Sequence, residues 1–285
     1  MFKGLVDGDV LFYDGALGTM LQSRGLPAGR RPDVMNILAP DTVEDIHRMY
    51  IDAGSDIICT NTFGSNAIAL AAEGYEVAEM VRAAVAIARR AAGDRAAVAL
   101  DVGPTGGFLE PYGDLTFDGM YAMFAEQSLA GAAAGADLVA VETMSEPGEL
   151  RAAILAAREN TPLPVFATMT FNADGRTYTG CTPEEFAAVA EEAGAAAIGI
   201  NCSLAPDVIF PIAKRIAAVS DAPLIIKPNA GLPDPVTGEY NVGAEEFARQ
   251  MERFKELNAR VVGGCCGTNP DYIRALRCMF GERTA

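Results

Sequence analysis

Residues 137–143, DLVAVET, and residues 164–170, PVFATMT, are two short apolar runs separated by a segment with a helical pattern. Runs of this length that are apolar at nearly every position are typical of parallel strands buried on both faces. The alternation continues in both directions along the chain. The further candidate strands are 10–17, 55–61, 96–102, 196–202, 223–229 and 259–265. The sequence therefore predicts β-strands that alternate regularly with helices.

The helices between these strands begin with recognisable signals. Thr182, a proline and Glu185 provide a cap, a first-turn proline and a third-position acid, and Asn269 precedes a proline in the same way. Asp41 and Glu44 have the spacing of a capping box ahead of an apolar face. We therefore expect Asp41 to cap the helix that follows the first strand.

The regular alternation decides the fold class. The repeated units are of nearly equal length, about 35 residues, and no linker or shift in composition marks a second domain. An open doubly wound sheet is the alternative, but near-equal units favour a sheet that closes on itself. The sequence predicts a single (β/α)8 TIM barrel of the α/β class, with one domain over residues 1–285.

The composition excludes several classes of partner. The chain carries 38 Asp and Glu residues against 22 Lys and Arg, and its formal net charge is −16. Such a surface repels phosphate backbones and anionic membranes, so we expect no nucleic acid and no membrane partner. No apolar run approaches a transmembrane helix in length, and the first residues lack the apolar core of a secretory signal. We therefore expect a cytoplasmic protein with reduced cysteines.

The carboxyl ends of the strands are where a barrel of this kind builds its active site. The predicted strands bring a set of polar or small residues to that face: Asp14, Gly15, Ala16, Thr19, Cys59, Thr60, Asn61, Asp101, Glu142, Asn201, Cys202, Asn229, Cys265 and Cys266.

Three of these residues are cysteines that suit a metal. Cys202 ends the sixth predicted strand, and Cys265 and Cys266 end the eighth, so one strand separates them. Three thiolates suit zinc and leave the fourth tetrahedral position for water or a substrate. Glycines flank the adjacent pair and permit the irregular turn that two neighbouring ligands need. From the residues alone, buried packing is an equal alternative, and a strained vicinal disulfide is a weaker one.

The other cysteines and the single histidine are expected outside the reaction. Cys278 lies in the pattern of the last helix and is expected in the core. Cys181 precedes a helix without an evident partner, and Cys59 is expected to pack rather than to serve as a fourth ligand. His47 is expected on a solvated helix face, which excludes chemistry that depends on a histidine dyad.

Glu142 ends an apolar strand, where a charge is costly unless it meets a partner. The functional interpretation is a carboxylate that faces the ammonium of a ligand. The alternative is an internal salt bridge at the mouth of the barrel. The sequence alone leaves both open.

Six motifs make the chain resemble the homocysteine S-methyltransferase family, in the right order and over nearly its whole length. They are DGALGTMLQ at 14–22, TNTFGSN at 60–66, VETM at 141–144, GINCS at 199–203, NAGLP at 229–233 and GGCCGT at 263–268. DGALGTMLQ and NAGLP look most similar to the homocysteine-binding barrel of cobalamin-dependent methionine synthase. Betaine–homocysteine methyltransferase looks like a more distant relative with the same cysteine pattern.

The resemblance implies a reaction and a set of residues for it. Zinc held by Cys202, Cys265 and Cys266 would bind homocysteine as a thiolate, which is methylated to methionine. The loop after Asp14, with Gly15, Ala16 and Thr19, would grip the carboxylate through backbone N–H groups, and Glu142 would bind the ammonium. Asn201, beside Cys202, is a further candidate for substrate binding.

The methyl donor is expected outside this barrel. The resemblance to the cobalamin-dependent branch implies a methylcorrinoid on a separate protein or domain, since no cobalamin-binding motif with its loop histidine is present. S-methylmethionine or a betaine is the alternative donor. Two further alternatives are a component of a corrinoid demethylation system with another acceptor, and a non-catalytic barrel that senses zinc or thiols.

Overall fold

Eight parallel strands form the centre of the computed structural model, which describes residues 10–27 and 29–281. Their bounds are β1 Leu11–Phe12, β2 Ile57–Cys59, β3 Ala97–Val102, β4 Leu138–Met144, β5 Val165–Met169, β6 Ala197–Asn201, β7 Leu224–Lys227 and β8 Ala259–Val262. The predicted order of strands is confirmed. The first strand is much shorter than the predicted 10–17, because the chain turns into a loop and a short helix after Tyr13.

The sheet closes on itself. Each strand from β2 to β7 pairs in parallel with the next along the chain, and β8 pairs with β1. Between β1 and β2, Tyr13 bridges Ile57, and the amide of Asp56 donates to the carbonyl of Phe12 at 2.7 Å. The described residues thus form a single (β/α)8 TIM barrel, as predicted.

The helices surround the barrel. Their bounds are α1 Gly18–Gln22, α2 Met35–Leu38, α3 Pro40–Ala53, α4 Ala67–Glu73, α5 Val77–Ala92, α6 Phe117–Ala134, α7 Pro147–Asn160, α8 Pro183–Ala193, α9 Pro206–Ala217, α10 Ala244–Met251 and α11 Pro270–Phe280, with 3-10 turns at Pro32–Val34 and Glu252–Leu257. A continuous apolar core fills the space between them and the outer face of the sheet. Across the described part of the chain, none of these helices combines the length and apolar character needed to cross a bilayer.

The helix starts follow the sequence signals in two of three cases. Thr182 and Glu185 form a complete capping box at α8, and Asn269 caps α11. The prediction for Asp41 is wrong, because α3 begins one residue earlier at a proline and Ala39 is its cap. Glu44 instead accepts hydrogen bonds from Arg48 and from Arg90, at 2.8 Å from Nε of Arg90, and so ties α3 to α5.

Two further side-chain predictions are wrong. His47 is completely buried rather than solvated, because the face of α3 that carries it packs inward beside Ile46 and Tyr50. Cys278 is exposed rather than buried, because the buried face of α11 is formed by Ile273 and Leu276.

The inside of the barrel is a separate apolar cluster. It uses alternate residues of each strand, such as Ala97 and Ala99 of β3 and Leu138 and Ala140 of β4. Side chains alternate between the two faces of a strand. Asp101 and Glu142, two residues after Ala99 and Ala140, therefore also face the barrel interior, nearer the carboxyl ends of the strands. The barrel interior therefore ends in charged side chains at the face where the cysteines lie.

Candidate active site

A cavity of about 390 Å³ opens at the carboxyl ends of the strands. Most of the residues predicted for the site line it: Asp14, Gly15, Ala16, Thr19, Cys59, Asp101, Glu142, Cys202, Cys265 and Cys266. Asn201 lies directly beside it, within reach of Cys265. The predicted strand ends therefore converge on one concave site.

The three predicted cysteines come together at this cavity. The sulfur atoms of Cys202, Cys265 and Cys266 all lie within 4.8 Å of one another, and those of Cys202 and Cys266 are 3.9 Å apart. Among the Cys, His, Asp and Glu side chains of the described residues, these three cysteines form the group whose spacing suits a metal ion. All three are free cysteines in this structure, so the vicinal disulfide considered as an alternative is not formed.

The backbone turns sharply to present these thiols. Cys202 and Ser203, just after β6, have φ angles of 63° and 59°, in the left-handed region that side chains seldom adopt. Gly267 has a φ of 80°, and a Cβ there would lie 2.1 Å from the ring of Tyr240. The irregular turn predicted from the glycines is therefore present, and both Cys265 and Cys266 lie beyond the end of β8.

The sulfur cluster accommodates one negative charge readily. Hydrogen bonds from the thiols of Cys202 and Cys265 hold the pKa of Cys266 well below its usual range. Hydrogen bonds with Cys202 and Cys266, together with burial, raise the pKa of Cys265. Because the sulfurs are so close, further ionisation requires a nearby positive charge, and a metal cation would supply it.

Asn201 fixes the strand ends around the cysteines. Its Oδ1 accepts hydrogen bonds from the amide of Thr143 and the hydroxyl of Thr168, both at 2.8 Å. Its Nδ2 donates to Oγ1 of Thr143 at 2.7 Å and lies 3.9 Å from the sulfur of Cys265. Thr143 has a φ of 61°, which is costly for a β-branched residue and is held by this network.

The loop after Asp14 is tied to the cysteine turn by Thr268. The amide of Ala16 donates to Oγ1 of Thr268 at 3.1 Å, and that hydroxyl donates to the carbonyl of Cys265 at 2.7 Å. A Cβ on Gly15 would lie 2.5 Å from the same oxygen, so the close approach requires glycine. The amide of Ala16 is therefore occupied, whereas the first-turn amides of α1 have no acceptor within that helix.

Comparison with known proteins identifies the chain. The sequence profile described as homocysteine S-methyltransferase matches residues 11–280. The chain belongs to the homocysteine S-methyltransferase family. The resemblance drawn from the six motifs is therefore confirmed at the level of the family.

Individual relatives agree with this family. Methionine synthase of Mycobacterium leprae is 33% identical over 305 aligned residues, which cover 95% of this chain and 25% of that protein. The chain thus spans about a quarter of the length of this curated relative. The crystal structure of the Escherichia coli homocysteine methyltransferase MmuM in its oxidised form matches with a TM-score of 0.84 and 23% identity over 97% of this chain and 98% of that one. The metallated form of MmuM matches with a TM-score of 0.79, 23% identity and coverage of 97% and 99%. These structural matches support the fold.

Lys227 also lines this cavity and was not predicted from the sequence. Its ammonium lies 2.5 Å from Oε2 of Glu142, 3.7 Å from the sulfur of Cys59 and 4.3 Å from the centre of the Tyr13 ring. Burial lowers the pKa of Lys227, but the surrounding groups, led by Cys59 and Glu142, raise it well above its usual value. The salt bridge predicted as the alternative for Glu142 is therefore present.

Two further buried carboxylates, Asp14 and Asp101, line the same cavity as Lys227 and Glu142. Oδ2 of Asp14 accepts a hydrogen bond from the amide of Cys59 at 2.8 Å, and burial raises the pKa of Asp14 to about 7. Burial, followed by the nearby charge of Glu142, raises the pKa of Asp101 well above its usual value. The floor of the cavity is thus acidic around one lysine.

Proposed function

We propose that this protein methylates the sulfur of homocysteine to give methionine, with Cys202, Cys265 and Cys266 as the ligands of a zinc ion. The observation that carries the proposal is the convergence of three sulfur atoms within 4.8 Å on a cavity with acidic side chains, in a chain of this family. Thiolate ligands suit zinc, and three of them leave one position for an incoming thiol.

The metal, when bound, supplies a positive charge that lowers the pKa of a coordinating thiol, so the acceptor sulfur loses its proton without a histidine base. This fits the residues around the cavity, because the single histidine of the sequence, His47, is buried in α3. Asn201 acts as a positioning residue that keeps β4, β5 and the cysteine turn in register.

The chain's own residues then orient the amino acid. Glu142 and Asp14 are proposed to face its ammonium, since both carboxylates line the cavity. The amides of Gly15 and Thr19 are proposed to hold its carboxylate, since both residues line the cavity. Thr19 lies in the first turn of α1, where N–H groups have no intrahelical acceptor. Ala16 would contribute once the hydroxyl of Thr268 turns away from its amide.

The methyl donor is proposed to be a methylcorrinoid carried by a separate protein or domain. The motifs DGALGTMLQ at 14–22 and NAGLP at 229–233, and the similarity to a methionine synthase, support this choice. In the transfer, the acceptor sulfur attacks the methyl carbon, the new S–C bond forms, and the bond to the donor breaks with its electron pair leaving on the donor. No tetrahedral intermediate forms, so the site needs no oxyanion hole.

The test is methionine formation by zinc-loaded, anaerobically reduced protein given homocysteine and methylcobalamin. Cys266→Ala should abolish it, and Cys278→Ala, which changes an exposed cysteine outside the cluster, should leave it unchanged. Methionine formed from S-methylmethionine or a betaine alone would overturn the corrinoid donor. Homocysteine binding without methionine from any donor would favour a sensor, and methylation of a different thiol would favour another acceptor.

A further inference from the structure

Asp101 is a carboxylate at the cavity with one buried oxygen that has no hydrogen-bond partner in the described part of the chain. It lies near the end of β3, it is 7% exposed, and it lines the same cavity as the cysteines. Its Oδ1 atom is fully buried and has no hydrogen-bond partner among the described residues. Its backbone is satisfied, since its amide donates to Thr60 and its carbonyl accepts from Thr62 and Gln127. The group without a hydrogen-bond partner is therefore an oxygen of the side chain, and the backbone N–H and C=O are both satisfied.

The two neighbouring carboxylates differ from Asp101 in having partners. Glu142 is paired with the ammonium of Lys227 at 2.5 Å, and Asp14 accepts from the amide of Cys59 at 2.8 Å. Lys227 is in turn held over the ring of Tyr13 and beside Cys59. The lysine at the cavity floor is thus committed to Glu142 and leaves Asp101 without a positive neighbour in contact.

A buried carboxylate without a partner is costly, and a positive ligand would remove that cost. Asp101 and Glu142 occupy inward positions on adjacent strands, β3 and β4, so one ligand group can approach both. We infer that Asp101 is a further substrate-binding residue, which takes the α-ammonium of the acceptor amino acid together with the oxygen of Glu142 that Lys227 leaves free. This inference rests on the proposed function, because it concerns the acceptor of that reaction.

The electrostatics of the site agree with this assignment. Burial and the charge of Glu142 favour the protonated form of Asp101 in the empty cavity. A ligand ammonium beside it would favour the ionised form and form a charge-assisted hydrogen bond. Selection for an amino acid over a simple thiol acid therefore follows from Asp101, whereas the cysteine cluster contacts the sulfur end of either molecule.

Calorimetric titration of the zinc-loaded protein with two thiols tests the assignment. Homocysteine carries the ammonium, and 4-mercaptobutyrate has the same carbon chain without it. For Asp101→Asn we expect the Kd for homocysteine to rise roughly 10- to 100-fold, as for the loss of a hydrogen bond between charged groups, with the Kd for 4-mercaptobutyrate nearly unchanged. Asp94→Asn, at an exposed turn on the opposite end of the barrel, should change neither.

Three results would overturn the inference. Unchanged homocysteine affinity in Asp101→Asn would show that the side chain is a neutral structural group. An equal loss for both thiols would show a general disturbance of the cavity. If the unaltered protein binds neither thiol, homocysteine is not the acceptor, and both the proposed function and this inference are wrong. Binding by the unaltered protein therefore distinguishes this result from the other two. Asp101→Ser, with circular dichroism and thermal unfolding of both variants, keeps the test valid if Asp101→Asn folds poorly.

Discussion

The ammonium of Lys227 lies 2.5 Å from the carboxylate of Glu142, and the two side chains are only 5% and 12% exposed. They come from β7 and β4, which are not neighbours in the sheet, and both line the cavity that holds the cysteines. This ion pair therefore crosses the barrel interior. Burying such a pair is tolerable because each charge compensates the other, but removing one partner leaves the other uncompensated. Glu142 therefore contributes to stability through Lys227 in addition to the role in substrate binding that we propose for it.

Lys227→Met should destabilise the protein by about 3 kcal/mol or more, because it leaves Glu142 buried without its partner. The measurement is the free energy of unfolding in urea. The double variant Lys227→Met with Glu142→Gln should recover most of the loss, and Lys214→Met, at an exposed position on α9, should change little. A loss for Lys227→Met no greater than that for Lys214→Met would contradict the interpretation.

Gly199→Ala should disrupt the barrel interior. A Cβ at this position of β6 would lie 1.9 Å from the carbonyl oxygen of Ile225 on β7, so the paired strands would have to separate. We expect a loss of about 3 kcal/mol or more in the free energy of unfolding, or failure to fold. Gly243→Ala places its methyl group in open space at the start of α10 and should cost only about 1 kcal/mol. Equal effects would refute the close-approach explanation.

His47 should make stability depend on pH. Burial lowers its pKa to about 4, with a smaller opposing effect of Glu44, whereas an unfolded histidine titrates near about 6.5. The unfolded chain therefore binds more protons between these values, and the stability present above about pH 6.5 is lost as the pH falls toward 4, by on the order of 3 kcal/mol. Urea unfolding of the unaltered protein and of His47→Leu at a series of pH values measures this. Their difference in free energy should change across that window, and a constant difference would exclude His47 as the cause.

Zinc binding should depend on the three clustered cysteines and on none of the other three. We expect the purified protein to hold one zinc ion per chain, and Cys202→Ala, Cys265→Ala and Cys266→Ala each to bind it far more weakly. Cys59→Ala and Cys278→Ala serve as controls with one thiol removed elsewhere. Metal analysis after dialysis gives the content. Retention of zinc by Cys202→Ala, or its loss from Cys278→Ala, would contradict the assignment.

Much of the fold could be predicted because its cause is local. Apolar runs such as 137–143 and 164–170 can be buried only as central strands, and their regular spacing excludes most alternatives to a barrel. The convergence of Cys202 and Cys265 follows from the same rule, since parallel strands end at one face. The six motifs then indicated a family, which no spacing rule provides.

The features that the sequence did not reveal depend on tertiary neighbours. Lys227 follows an apolar run that looks like an ordinary strand end, although its position two residues after the inward-facing Ile225 was a usable signal. The burial of His47 depends on which face of α3 packs inward, and the exposure of Cys278 on which face of α11 turns outward. Asp41 lost its predicted role because a proline one residue earlier begins the helix.

In the proposed reaction, the acceptor thiol joins the three clustered cysteines at one metal ion. Zinc K-edge absorption of the zinc-loaded protein, with and without saturating homocysteine, tests it most directly. We predict three sulfur neighbours without homocysteine and four with it, and no such increase with homoserine, which carries oxygen in place of sulfur. A sulfur count that stays at three while homocysteine is bound would contradict the account.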